Sequence, residues 1–122
     1  MKGEFDMPSP FVWFDNFSEK RDETTSFLSN AFGWAPADIG LMTFLTTEGQ
    51  DKPFAATADA MKGISGWVPY LEVQDLAAAV ASARQHGAEI IAEDLDGPAG
   101  VANFIRDPGG APLALWKRAE GM

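Results

Sequence analysis

Between Trp67 and Ile91 the chain reads WVPYLEVQDLAAAVASARQHGAEII: a strand, an acidic cap, an alanine-rich helix, a glycine, and a second strand. That order constrains the fold more than any other feature, because a helix so tightly joined to a strand must lie back across it. Val68, Tyr70 and Glu72 alternate with Pro69, Leu71 and Val73, which predicts a strand with two different faces. The face with Leu71 and Val73 is aliphatic and belongs under a helix. The other is mixed and free to line something. Pro69 has no N–H and should stand at the strand's start or at an unpaired position. Asp75 is a suitable N-cap, its carboxylate accepting from free N–H groups of the first turn. Leu76, Ala79, Val80 and Ala83 then recur at helical spacing, and their small size lets the helix lie close to a sheet. Gly87 is the expected left-handed stop, with residues 88–92 returning as a strand.

A weaker copy of this plan occupies residues 11–39. FVWF at 11–14 is a strand that Asp15 and Asn16 interrupt. Ser18 or Asp22 caps a helix that runs to about Phe32, with Phe27, Leu28, Ala31 and Phe32 as its buried face, and Gly33 ends it. Residues 36–39 form a connection with room for a short strand. Residues 41–47 and 53–57 are strands joined by a polar, glycine-bearing turn, and residues 59–66 link the halves. Beyond the central stretch, residues 94–100 read as a loop, 101–106 and 112–117 as strands, and Asp107-Pro108-Gly109-Gly110 as the turn between them. Residues 1–9 read as a lead-in. The class is α+β: two βαβββ modules, about 10–59 and 66–118, in one domain. Trp13 corresponds to Val68 in this alignment, and Asp15 to Tyr70.

Composition excludes several functions. A net charge of −9 argues against nucleic acid or an anionic membrane surface as partner, since both require a basic face. With no cysteine, disulfides, thiolate catalysis and zinc–thiolate sites are ruled out. The same absence suits the cytoplasm. No stretch has the apolar core of a signal peptide or the length of a bilayer span.

VWFD, FLSNAFGW, WVPYLEVQDLAAAVASARQHGAEI and DPGGAPLALW together resemble the glyoxalase/bleomycin-resistance/dioxygenase superfamily, the vicinal oxygen chelate proteins. The resemblance runs from Phe11 to Lys117. It implies two modules whose curled mixed sheets surround a cleft, homodimerisation, and in the metalloenzymes a divalent ion held by His, Gln or Glu on four strands. The matching positions here are Trp13, Val68, Ala114 and, with loops of different length, about Ala55. None of these side chains is a metal ligand, so the resemblance implies no metal and no cofactor and argues against metal-dependent glyoxalase or dioxygenase activity. The single histidine, His86, falls in the last turn of the second helix, where an imidazolium favours the helix C-terminus.

What remains is a cleft lined by Trp13, Asp15, Phe44, Val68, Tyr70, Phe104, Ala114 and Trp116. Aromatic walls with few polar groups suit a small, partly aromatic or apolar molecule. Asp15 is the one candidate for proton transfer, with Tyr70 as its donor; the plainer reading of that pair is a hydrogen bond that holds the modules together. A small-molecule binder is therefore the leading expectation. A metal-independent isomerase or lyase using Asp15 is the first alternative, and a homodimeric interaction module without a small ligand the second.

Overall fold

The computed structural model describes residues 9–120. Along the chain these form β1 (Phe11–Ser18), α1 (Arg21–Phe32), β2 (Ala35–Asp38), β3 (Met42–Thr46), β4 (Ala55–Asp59), β5 (Gly66–Glu72), α2 (Leu76–Gln85), β6 (Glu89–Asp96), β7 (Gly100–Arg106) and β8 (Pro112–Arg118). The backbone forms two compact units, Trp13–Val68 and the remainder, with the chain passing from one to the other inside β1 and inside β5.

The N-terminal unit orders its strands β2-β3-β4-β1, with β1 and β4 parallel and the other pairs antiparallel. The C-terminal unit repeats this as β6-β7-β8-β5, with β5 and β8 parallel. Strand order and sense match element for element, as the βαβββ pattern predicts.

Helix α2 behaves as its sequence requires. The Asp75 carboxylate accepts from Ala78 N–H at 2.9 Å. Val80 then packs with Ile105 and Leu115, and Leu76, Ala79, Ala83 and Leu71 close around them. Gly87 follows in the left-handed region, while His86 is the C-cap with Nδ1 2.8 Å from the Ser82 carbonyl.

Helix α1 differs from expectation. Phe27 and Phe32 are 59% and 58% exposed, and Ala31 is exposed as well. The stripe that meets the sheet is Arg21, Thr25 and Leu28, at helical spacing. Its N-terminal end is polar because β3 and β4 present hydroxyls there: Arg21 Nη2 donates to Thr43 Oγ1 at 2.9 Å, and the Thr25 and Thr57 hydroxyls are 2.7 Å apart. Only Leu28 meets an apolar cluster, with Leu45, Ala55, Trp34 and Phe54. Neither expected cap holds. Lys20 is the N-cap without a side-chain bond, because β1 continues through Asp15 and Asn16 to Ser18. The Ser18 hydroxyl instead accepts from Lys20 N–H at 2.9 Å.

The other departures concern boundaries. The expected loop at 94–100 is mostly strand, since β6 runs to Asp96 and β7 begins at Gly100. Strand β6 slips register twice against β7, and Asp94 adopts φ 54 beside the second slip. Such bulges absorb extra residues while pairing continues. The buried Asn103 fixes this one, its Oδ1 accepting from Asp94 N–H at 3.0 Å. Of the expected lead-in, residues 1–8 lie outside the described residues. Ser9 pairs with β5, donating its N–H to the Glu72 carbonyl at 3.2 Å and accepting from Glu72 N–H at 3.0 Å.

Candidate functional site

In each unit the strands turn one face to the helix and one away from it. In the N-terminal unit the face away from α1 carries the cross-strand row Asp15–Ala56–Phe44. Trp13 precedes Asp15 by one strand period and shares its side. The Trp13 indole N–H donates to Asp15 Oδ1 at 2.6 Å. The Trp13 ring meets Phe44 edge to face, with centroids 5.6 Å apart. Asp15 is 2% exposed, whereas Trp13 and Phe44 keep part of their surface open. A carboxylate this buried needs donors to offset its lost hydration, and the indole is one.

In the C-terminal unit the face away from α2 carries the row Tyr70–Ala114–Phe104. Tyr70 meets Phe104 edge to face at 5.9 Å. Tyr70, Phe104 and Ala114 are buried, as is Val68 two residues before Tyr70 on the same side of β5. The adjacent row is Glu72–Trp116–Ala102. Trp116 stays partly open and leans over Gly100: a Cβ built there would lie 2.6 Å from the indole Nε1. Arg118 shares the Trp116 side of β8, its guanidinium 5.2 Å from the ring centroid. The same guanidinium grips Glu72 through Nε and Nη2, both at 2.9 Å. These hydrogen bonds, and secondarily the Glu72 charge, raise the Arg118 pKa above its ordinary value.

Trp13, Asp15 and Phe44 thus come together on one face, and Tyr70, Phe104, Ala114 and Trp116 on the other. The two rows are copies. Alanine occupies the strand beside the first in each, and phenylalanine the strand beyond it, so Asp15–Ala56–Phe44 matches Tyr70–Ala114–Phe104. The copy of Ala114 is therefore Ala56, not the neighbouring Ala55. Ala55 pairs with Phe14 and packs under Leu28 on the helix side. Strand parity decides this, and loop lengths alone could not. Arg118 was missed from sequence, although it lies one strand period from Trp116, and Glu72 was read on the Tyr70 face of its strand but not among the cleft residues.

The positions that the resemblance matches to metal ligands, with Ala56 in place of Ala55, carry an indole, an isopropyl group and two methyl groups, none of which is a donor to a divalent ion. Among the described residues no group of three or more His, Cys, Asp or Glu side chains gathers to hold a metal ion.

A duplicated βαβββ unit with this strand order is the fold of the glyoxalase/bleomycin-resistance/dioxygenase superfamily, and the chain is related to that superfamily. No family model matches it. Over 117 residues it is 28% identical to the protein named "Putative glyoxylase CFP32" in Mycobacterium bovis and in Mycobacterium tuberculosis, across 86% of this chain and 44% of the relative. The chain therefore spans less than half the length of these relatives. Among solved structures it is similar to the Mn(II)-bound glyoxalase from Novosphingobium aromaticivorans, with TM-score 0.61 and 16% identity over 88% of this chain and 38% of that one. Homoprotocatechuate 2,3-dioxygenase from Brevibacterium fuscum matches with TM-score 0.65 and 11% identity, over 92% of this chain and 37% of that one. A glyoxalase/bleomycin resistance protein/dioxygenase superfamily member from Vibrio splendidus matches with TM-score 0.60 and 12% identity, over 86% and 96%. At such identities the structural likeness speaks for the fold. Among the described residues, no helix is long and apolar enough to cross a membrane.

Proposed function

We propose that this chain binds a small, partly aromatic or apolar molecule against the sheet faces turned away from its helices, with no metal ion at the superfamily's usual positions. The observation that carries this reading is the row of Trp13, Asp15 and Phe44. It joins two partly open aromatic rings to one fixed carboxylate, the mixture of apolar wall and sparse polar anchor that small-molecule sites use. Cysteine-free composition is consistent with work in the cytoplasm. A metal-independent isomerase or lyase is the second reading. The observation favouring it is the same carboxylate, buried beside aromatic rings, where acid–base groups are commonly tuned.

A thermal-shift screen against aromatic and amphipathic compounds, followed on Trp13→Phe and Asp15→Asn, tests both readings. A binder should raise the melting temperature of the wild type and lose affinity in Trp13→Phe. If a substrate emerges, the second reading requires Asp15→Asn to bind it without turning it over. A broad panel that stabilises nothing would remove the proposal.

A further inference from the structure

We propose that Arg118 anchors a carboxylate on the ligand, so that the molecule bound at the C-terminal face is a small aromatic or apolar acid. This rests on the reading of these faces as binding surfaces and names the class of molecule they take.

A guanidinium offers five N–H donors in a plane, arranged as two edges that can each grip a carboxylate. In Arg118 the Nε/Nη2 edge is spent on Glu72. Nη1 makes no hydrogen bond among the described residues, and the side chain is 49% exposed. The second edge is therefore open. It is also aimed: Glu72 fixes the guanidinium from one side, Trp116 supports it from below, and the missing side chain at Gly100 gives the indole its place. An arginine held this way loses little freedom when it takes a second carboxylate.

Charge narrows the ligand further. Glu72 already balances Arg118, and the chain carries net charge −9, so a simple anion gains little from the long-range field. What remains is short-range, bidentate geometry beside an apolar surface. Ala102 pairs across from Trp116, and Phe104 and Ala114 lie one row further along the same face. By strand parity Lys117 points to the opposite side, and Arg106, which shares the face, lies three rows from Arg118 and pairs with Glu89, so Arg118 is the cation beside Trp116. A ligand must bring both a carboxylate and an apolar body.

The test compares 3-phenylpropionate with its uncharged isostere 3-phenylpropionamide, by calorimetry and by the indole N–H signals of the full chain. Trp116→Phe assigns the Trp116 resonance. The acid should bind about tenfold more tightly than the amide, as expected for a charge-assisted bidentate pair. It should shift the Trp116 signal, and acetate at equal concentration should not displace it. Arg118→Gln should erase the preference for the acid. Arg118→Lys, which keeps stem and charge but not the fork, should erase most of it. Equal binding of acid and amide, or unchanged acid binding by both variants, overturns the inference and leaves the aromatic-ligand reading standing. If neither compound nor any member of the wider panel binds, both fall together.

Discussion

Alanine at position 100 is the sharpest test of how the C-terminal face is assembled. Gly100 is not in the left-handed region, so its requirement is steric rather than torsional. A Cβ there would stand 2.6 Å from Trp116 Nε1 and 2.8 Å from Cε2, and closer still to the Lys117 carbonyl oxygen. Carbon atoms in contact prefer about 3.5–4.0 Å. The indole must therefore withdraw by about 1 Å. The carbonyl belongs to β8, which is held against β7 by the Gly100↔Arg118 and Val101↔Lys117 pairs, and cannot withdraw without loosening them. Forced overpacking of this kind costs about 1–3 kcal/mol. A loss in the middle of that range lowers the melting point of a chain this size by about 5–10 °C. Thermal unfolding followed by circular dichroism gives the cost, and tryptophan emission reports whether the ring has moved. The Gly100→Ala/Trp116→Ala cycle then separates ring from backbone. With the indole gone, Gly100→Ala should cost about 1 kcal/mol less than in the wild type. A Gly100→Ala protein within about 0.5 kcal/mol of wild type refutes the close approach altogether. An equal cost with and without Trp116 refutes the claim that Gly100 seats the indole.

Three more substitutions probe the units separately, by denaturant unfolding. Leu28→Ala should cost about 2–4 kcal/mol as a buried core truncation, while Phe27→Ser, at an exposed ring, should stay within about 1 kcal/mol; the reverse order would restore the apolar stripe expected from sequence. Sedimentation of Phe27→Ser beside the wild type also tests self-association, since a dimer resting on that ring would dissociate. Asn103→Ala should cost about 1–3 kcal/mol by leaving Asp94 N–H without its acceptor, and should speed hydrogen exchange at that amide; unchanged exchange would show that the bulge does not depend on Asn103.

Helix α2 was legible in the sequence because everything it needs is apolar or small. Leu76, Ala79, Val80 and Ala83 mark the buried stripe, Asp75 the start and Gly87 the exit, and the structure keeps each in that role. Helix α1 was legible in length but not in orientation. A count of apolar residues favours Phe27, Leu28, Ala31 and Phe32, yet the sheet beneath offers Thr43 and Thr57, so Arg21 and Thr25 turn inward and the phenylalanines outward. A polar contact between elements far apart in sequence leaves no periodic trace. The pairing of residues 94–96 was hidden for a related reason, because bulges break the period of two by which a strand is recognised.

The candidate site was legible where parity applies and illegible where register does. Asp15 follows Trp13, and Tyr70 follows Val68, at the strand period, and the structure keeps each pair on one side of its strand. Which residue of β4 stands beside Asp15 depends on a parallel pairing across forty intervening positions, and a slip of one exchanged Ala56 for Ala55. Once the register is known, the two halves explain each other. Alanine beside the first strand leaves room, and Phe44 and Phe104 stand edge to face with Trp13 and with Tyr70. The duplicated frame is conserved in shape while its polar group differs: a carboxylate bonded to an indole in one half, and in the other a phenol, with a guanidinium and its carboxylate partner one row further on. Two faces with one geometry and different polar equipment present different hydrogen-bonding groups to a ligand. The carboxylate preference assigned to Arg118 should therefore disappear with Arg118→Gln while the contribution of Trp13 to binding persists, and loss of both together would mean that the halves do not act separately.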